Sequence, residues 1–148
     1  MFNVLLVGAG NIGSKYLQGL AKVNSPIKIL VVEPNIQSQK AAEKSWVEVS
    51  GDKSEHKIKW LNNLNFKHQN IDLAIVATTA LNRASVIKNV SLRAKPRYWI
   101  IEKIISQSIC DLDLIKQESE KSKGAWVNTP RRLMKWHQEF KGKFFEKG

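Results

Sequence analysis

The stretch Asn3-Val4-Leu5-Leu6-Val7-Gly8-Ala9-Gly10-Asn11-Ile12-Gly13 runs an apolar strand directly into a G-x-G-x-x-G turn. The three glycines differ in what they make possible. Gly8 permits the tight turn, Gly10 lets the backbone approach phosphates, and Gly13 lets the following helix lie close against the strand. That helix start offers unpaired N–H groups and the positive end of its dipole to an anion. The pattern predicts that Gly8, Gly10, Asn11, Ile12 and Gly13 hold the pyrophosphate of a dinucleotide.

The flanking residues support this reading. Ile12, Tyr16, Leu17, Leu20 and Val23 recur at helical spacing on one face, with Ser14, Lys15, Gln18 and Lys22 on the other. A second strand, Ile27 to Val32, ends on Glu33, 20 residues after Gly13. A carboxylate at that point accepts hydrogen bonds from the adenosine ribose hydroxyls. It also repels a 2′-phosphate, and no Arg or Lys follows immediately in Glu33-Pro34-Asn35, which favours NAD over NADP. The plainer alternative is a βαβ unit whose glycines serve packing and whose Glu33 is merely solvated.

Strand and helix patterns alternate along the rest of the chain. Ser38 to Val47 reads as a helix with Ala41, Ala42 and Trp46 inward, followed by a polar loop at 50–55. Lys57 to Leu61 alternates as a short strand does, and 62–70 reads as a turn or one short helix. The run Ile71-Asp72-Leu73-Ala74-Ile75-Val76-Ala77 suits a strand covered on both faces, the centre of a parallel sheet. A helix over 82–92, a strand at 98–101, a helix over 111–121 and a strand at 125–127 follow. Thr129-Pro130 then reads as an N-cap and first helical residue, with Leu133, Trp136, His137, Phe140 and Phe144 on one face. The expected fold is α/β, a single Rossmann-like domain with a doubly wound, mostly parallel sheet over residues 1–128 and a C-terminal helix over 129–148.

Composition bounds the setting. The chain has 148 residues, 43% of them hydrophobic, enough for one ordinary domain with its own core. Its single cysteine, Cys110, excludes an intramolecular disulfide framework and reads as a small buried hydrophobe, with a reactive thiol near a helix start as the alternative; no His/Cys cluster has metal-like spacing, so no metal site is expected. The chain starts its strand at once, and no apolar run approaches the roughly 20 residues of a membrane helix. A cytoplasmic protein, with no membrane role, is the expectation. The net charge of +11 is concentrated in residues 75–148, which carry 15 Lys+Arg against 7 Asp+Glu, compared with 9 against 6 in residues 1–74. The lysines are interspersed with acids rather than forming a dense stripe with aromatics, which argues for solvation or attraction of anionic small molecules over nucleic acid. A basic nucleic-acid-binding α/β module stands as one alternative.

Ligands in such sheets bind at the carboxyl ends of strands, where this chain has Ala77-Thr78-Thr79, Glu102-Lys103 and Asn128-Thr129. Ala77, Thr78 and Thr79 are expected at the middle of the cofactor. Charge at the mouth of a buried strand is costly unless paired or used, which singles out Glu102 and Lys103.

On Val7-Gly8-Ala9-Gly10-Asn11-Ile12-Gly13, Asp72-Leu73-Ala74-Ile75-Val76-Ala77-Thr78-Thr79 and Ile101-Glu102-Lys103, the chain resembles the Gfo/Idh/MocA oxidoreductases, nicotinamide-dependent enzymes acting mostly on sugars, inositols and sugar-derived compounds. The resemblance implies that Glu102 and Lys103 border the nicotinamide, with Lys103 as the catalytic residue reaching the substrate. It implies a small sugar-like substrate in a complete enzyme, and a crossover at 128–132 into a second domain, missing here, that supplies a catalytic acid/base and the oligomer interface. This chain alone is expected to bind cofactor better than it turns anything over. Ile104 stands where that family has proline, Thr79-Ala80 where it has Pro-Asn, and Arg83 at a common histidine. Trp136, Phe140, Phe144 and Phe145 form either a self-association surface or a face packed on the sheet. A non-catalytic, NAD-responsive regulatory protein is the second functional alternative.

Overall fold

The four inner strands are runs rich in Val, Ile and Leu, because branched side chains on alternate faces suit a sheet covered on both sides, while the two edge strands, Lys57–Leu61 and Gly124–Asn128, are mixed in polarity and partly exposed. In chain order the strands are β1 (Phe2–Val7), β2 (Ile27–Val32), β3 (Lys57–Leu61), β4 (Leu73–Val76), β5 (Tyr98–Glu102) and β6 (Gly124–Asn128). The helices are α1 (Asn11–Leu20), α2 (Ile36–Ser50), α3 (Arg83–Ala94), α4 (Ile109–Glu120) and α5 (Lys135–Phe145). The computed structural model describes residues 1–51, 55–66 and 70–145, with the backbone alone at 132–133 and 142–145. Parts of the loop expected at 50–55 and of the turn expected at 62–70, and the side chains of Arg132, Leu133, Phe144 and Phe145, lie outside the described residues.

The strand order is β3-β2-β1-β4-β5-β6, and every adjacent pair is parallel. The expected Rossmann-like α/β domain is therefore present, with a wholly parallel sheet. Because the chain winds outward from β1 to β2 and β3, then returns to start again at β4, a crevice opens between the ends of β1 and β4.

Period-2 alternation divides the core. Val4, Leu6, Ile29 and Val31 meet Leu17 of α1 and Ala42 and Trp46 of α2 on one face. Leu5, Val7, Leu30, Val32, Ala74 and Val76 meet Ile87 and Val90 of α3 and Ile115 of α4 on the other. Local chemistry sets the helix starts. Asn35 Oδ1 accepts hydrogen bonds from the N–H groups of Gln37 and Ser38 at the head of α2, and Ser108 Oγ accepts one from Asp111 at the head of α4.

Several helix faces differ from the sequence expectation. In α1 Gly13 and Leu17, four apart, are buried and Tyr16 and Leu20 pack partly buried beside them as expected, but Ile12 lies off that face and is half exposed, and Val23 lies past the helix end and is exposed. Ala41 is exposed in α2, while Ala42 and Trp46, again four apart, are buried. The expected C-terminal helix is two pieces, a 3₁₀ turn over Pro130–Leu133 and then α5, separated by an extended Met134. Pro130 opens the turn as expected, but the Thr129 side chain makes no capping bond. Trp136 and Phe140 stay more than half exposed, so α5 does not bury them on the sheet. Among the described residues no helix is long and apolar enough to cross a membrane.

Leu17 is 0% exposed at the contact of α1 with β1 and β2. Leu17→Ala should cost ~2–5 kcal/mol through lost burial and the cavity left behind. Urea denaturation followed by circular dichroism reads this directly, and a loss below ~1 kcal/mol would contradict the packing assigned to α1.

Candidate functional site

The turn after β1 is built by close approach. Gly8 has φ 91°, and a Cβ there would sit 3.1 Å from the carbonyl atoms of Ala77. Gly13 is tighter still, since a Cβ would fall 2.0 Å from the Gly8 carbonyl oxygen, a distance no side chain can occupy. Gly10 has nothing within 4 Å of where its Cβ would be, so the turn is open on that side. Gly10 is the N-cap of α1, no side chain caps the helix, and its first turn carries no acid. The first-turn N–H groups and the dipole's positive end are thus available to an external anion.

Glu33 is buried rather than solvated, which removes the plainer alternative for this residue. One carboxylate oxygen accepts the N–H of Ala9 at 2.7 Å and the other accepts the N–H of Asn35 at 2.8 Å. The acid closing β2 therefore ties the glycine turn to β2. Each oxygen retains a further lone pair for a ligand hydroxyl.

A cleft of about 460 Å³ opens at the carboxyl ends of β1, β2 and β4, within the ~300–1,000 Å³ of small-molecule sites. Gly8, Gly10, Glu33 and Pro34 line one side and Ala77, Thr78 and Thr79 another, with Asn62, Asn63 and Leu64 after β3 closing the end. The Thr78 hydroxyl oxygen is buried and has no hydrogen-bond partner among the described residues, a cost of ~1–3 kcal/mol that a polar ligand atom would relieve. An open Gly10, a buried acid and an orphaned hydroxyl on one cleft, with the uncapped amides of α1 following directly after Gly10, fit the phosphates and ribose of a dinucleotide. Asn11 and Ile12 sit exposed at the head of α1, and neither they nor Gly13 line the cleft itself.

The Glu102-Lys103 pair is divided by the fold. Glu102 is buried at the end of β5, and its Oε1 accepts hydrogen bonds from Tyr16 Oη at 2.6 Å and from Asn128 Nδ2. Lys103 is exposed and does not line the cleft. Burial first, and then the hydrogen bond to Glu102 and its negative charge, push the Tyr16 phenol well above its ordinary value. Helical spacing marks Tyr16 as inward but cannot show that its hydroxyl reaches β5, 86 residues away. Asn62 and Asn63 directly follow β3, so the rule that sites gather after strands extends to them. Cys110, expected to be buried, is exposed near the start of α4. No group of three or more metal-ligating side chains is present among the described residues.

Two outcomes follow from this geometry. Gly13→Ala drives a methyl into the Gly8 carbonyl, so it should lower the thermal midpoint by several degrees, corresponding to ~1–3 kcal/mol; an unchanged melting curve would contradict the contact. Tyr16 should stay protonated at pH 10.0, its ordinary midpoint. Because its pKa is raised on folding, the stability it contributes is fully present below that pH and is lost as pH rises further. Phenolate absorbance of the native protein minus that of Tyr16→Phe should therefore be near zero up to pH 10.0, and an ordinary titration would overturn the Tyr16–Glu102 bond.

Solved structures share this architecture. An oxidoreductase from Agrobacterium radiobacter in complex with NAD⁺, L-tartaric acid and magnesium superposes with a TM-score of 0.70 at 16% identity, over 99% of this chain and 40% of its own. A Gfo/Idh/MocA family oxidoreductase from Vibrio cholerae gives 0.66 at 15% identity, over 99% and 43%. A super-repressor mutant of Gal80p from Saccharomyces cerevisiae gives 0.71 at 16% identity, over 99% and 38%. The chain thus spans about 40% of the length of these structures. At such identity the likeness, including that to the Gfo/Idh/MocA enzyme, is one of fold. No curated protein matches the sequence. The model of the family described as ketopantoate reductase PanE/ApbA matches residues 4–101, from the first strand through the fifth, and the chain belongs to that family.

Proposed function

We propose that this chain is the NAD-binding part of an oxidoreductase that moves hydride between nicotinamide and a carbonyl or alcohol of a small, polar, sugar-like compound. The observation that carries the reading is the cleft in which the open glycine turn, buried Glu33 and the unpartnered Thr78 hydroxyl converge. Gly8, Gly10, Asn11, Ile12 and Gly13 hold the pyrophosphate through the turn and the uncapped amides of α1. Glu33 accepts the adenosine ribose hydroxyls with the lone pairs its backbone bonds leave free, and its charge disfavours a 2′-phosphate. Ala77, Thr78 and Thr79 meet the middle of the cofactor. The bound nicotinamide supplies or accepts the hydride. Glu102, with its charge held in place by Tyr16 and Asn128, borders that ring, and Lys103, exposed one residue further on, orients the substrate oxygen.

Membership of a family named for a ketopantoate reductase and the likeness to an oxidoreductase holding NAD⁺ support this chemistry. On this reading the further substrate contacts and the acid/base partner come from a second domain. A second reading, a non-catalytic NAD-responsive regulator, is favoured by the likeness to a super-repressor mutant of Gal80p and by the absence of Lys103 from the cleft lining.

Titration with NADH and NADPH, followed by fluorescence, should show saturable binding with NADH about tenfold or more tighter. Glu33→Gln, which keeps the size of the side chain but removes its charge, should narrow that preference toward parity. No saturable signal with either dinucleotide sinks the nucleotide reading; an unchanged preference in Glu33→Gln removes the role given to that acid.

A further inference from the structure

Arg83, the first residue of α3, is 2% exposed, and among the described residues no carboxylate forms a contact ion pair with its guanidinium, although the charge of Glu102 is near enough to act on it. Its hydrogen bonds go to main-chain carbonyls instead. Nη1 donates to the carbonyls of Glu102, Ile104 and Ile105, and Nη2 donates to that of Thr78. The Arg83 Nε is buried with no hydrogen-bond partner among the described residues. A buried cation held in this way is a poor choice for stability alone, since apolar residues of similar volume often serve a core as well or better. What the guanidinium achieves is a cross-link. The ladder between β4 and β5 ends at Val76↔Ile101, and the segments beyond it, 77–79 and 102–105, are bridged by this one side chain. The planar fork of arginine carries its donors on separate nitrogens, so Nη1 and Nη2 reach the two segments at once, whereas the three donors of lysine sit on one nitrogen.

The strand order gives that cross-link a place in the site. Glu33 lies at the end of β2, and the pyrophosphate-binding turn at the end of β1, so the other half of a dinucleotide runs the opposite way, over the ends of β4 and β5. Those are the two segments that Arg83 joins. We propose that Arg83 is a positioning residue for the nicotinamide half of the site, holding the backbone of Thr78 and of the Glu102–Ile105 segment in the arrangement that receives the ring. The proposal rests on the nucleotide reading above and goes beyond it by dividing the site into a half that depends on Arg83 and a half that does not. Without the cross-link, two loops must be ordered when the ligand binds, and that entropy weakens binding at the nicotinamide end alone.

The test compares NADH with ADP-ribose, which keeps the adenosine, pyrophosphate and second ribose but lacks the nicotinamide, on the unaltered chain and on Arg83→Gln and Arg83→Lys. Thermal melting of each variant reports on folding, and calorimetry reports on affinity. NADH affinity should fall about tenfold in Arg83→Gln, with ADP-ribose affinity held within about twofold. Arg83→Lys should show the same selective loss, since it keeps the charge and much of the stem but not the fork. Equal losses for both ligands, or no loss for either, overturn the proposal. Failure of both variants to fold overturns it too, because Arg83 is then a strut of the core. If the unaltered chain binds ADP-ribose as tightly as NADH, the nucleotide reading stands and the role of Arg83 falls. If it binds neither, the nucleotide reading itself fails first.

Discussion

The contact between Gly13 and the Gly8 carbonyl is the constraint from which this molecule is organised. With no Cβ on Gly13, α1 can lie directly against the turn that leaves β1. That approach aims the uncapped amides of α1 at the carboxyl ends of the strands. It also turns Leu17 onto the sheet, where it fills the space between Val4, Leu6 and the β2 residues Ile29 and Val31. A methyl group at residue 13 would lift the helix from the strand and disturb the core and the cleft together.

Around that contact, polar groups are used as ties between segments distant in sequence. Glu33 holds the Ala9 N–H, joining the glycine turn to the end of β2. Glu102 takes Tyr16 from α1 and Asn128 from β6, joining the first helix to the last strand. Arg83 joins the segments after β4 and β5. Each tie sits at the same end of the sheet, and each is buried or partly buried, where a polar group left without a partner is costly. The opposite end of the strands has fewer such devices among the described residues: Asp72 accepting the N–H of Asn3 is one. Polar ordering is therefore concentrated where a ligand would have to be recognised, while the middle of the sheet is held by apolar packing on both faces.

Much of the architecture was legible in the order of residues. The inner strands can be read from their branched apolar runs, because a central parallel strand must be apolar on both faces whatever its neighbours are, and the edge strand Lys57–Leu61 from its alternation instead. The glycine turn and Glu33 are legible because their spacing is local: strand, turn, helix, strand and acid follow one another within 33 residues. Helix faces were less legible. Ile12 and Ala41 match the periodicity, but a wide apolar stripe leaves the rotation of a helix open by one residue, and the close seat of Gly13 chose Leu17 over Ile12. Trp136 and Phe140 show that an apolar spacing can be present without anything in the described residues burying it.

Local spacing and hydrophobic pattern, read alone, were sufficient for a parallel α/β domain with a phosphate-sized turn at its first strand and an acid at its second, because each depends on residues close together in the chain. The fate of charges depended on tertiary structure. Only the folded chain shows that Glu33 is buried against the Ala9 amide, that Glu102 pairs with Tyr16 and Asn128 instead of with adjacent Lys103, and that Arg83 reaches four carbonyls across two loops. The physical reason is that burial and pairing of a charge are set by whatever surrounds it in space, and the groups that stabilise these three come from strands and helices whose approach no linear spacing encodes.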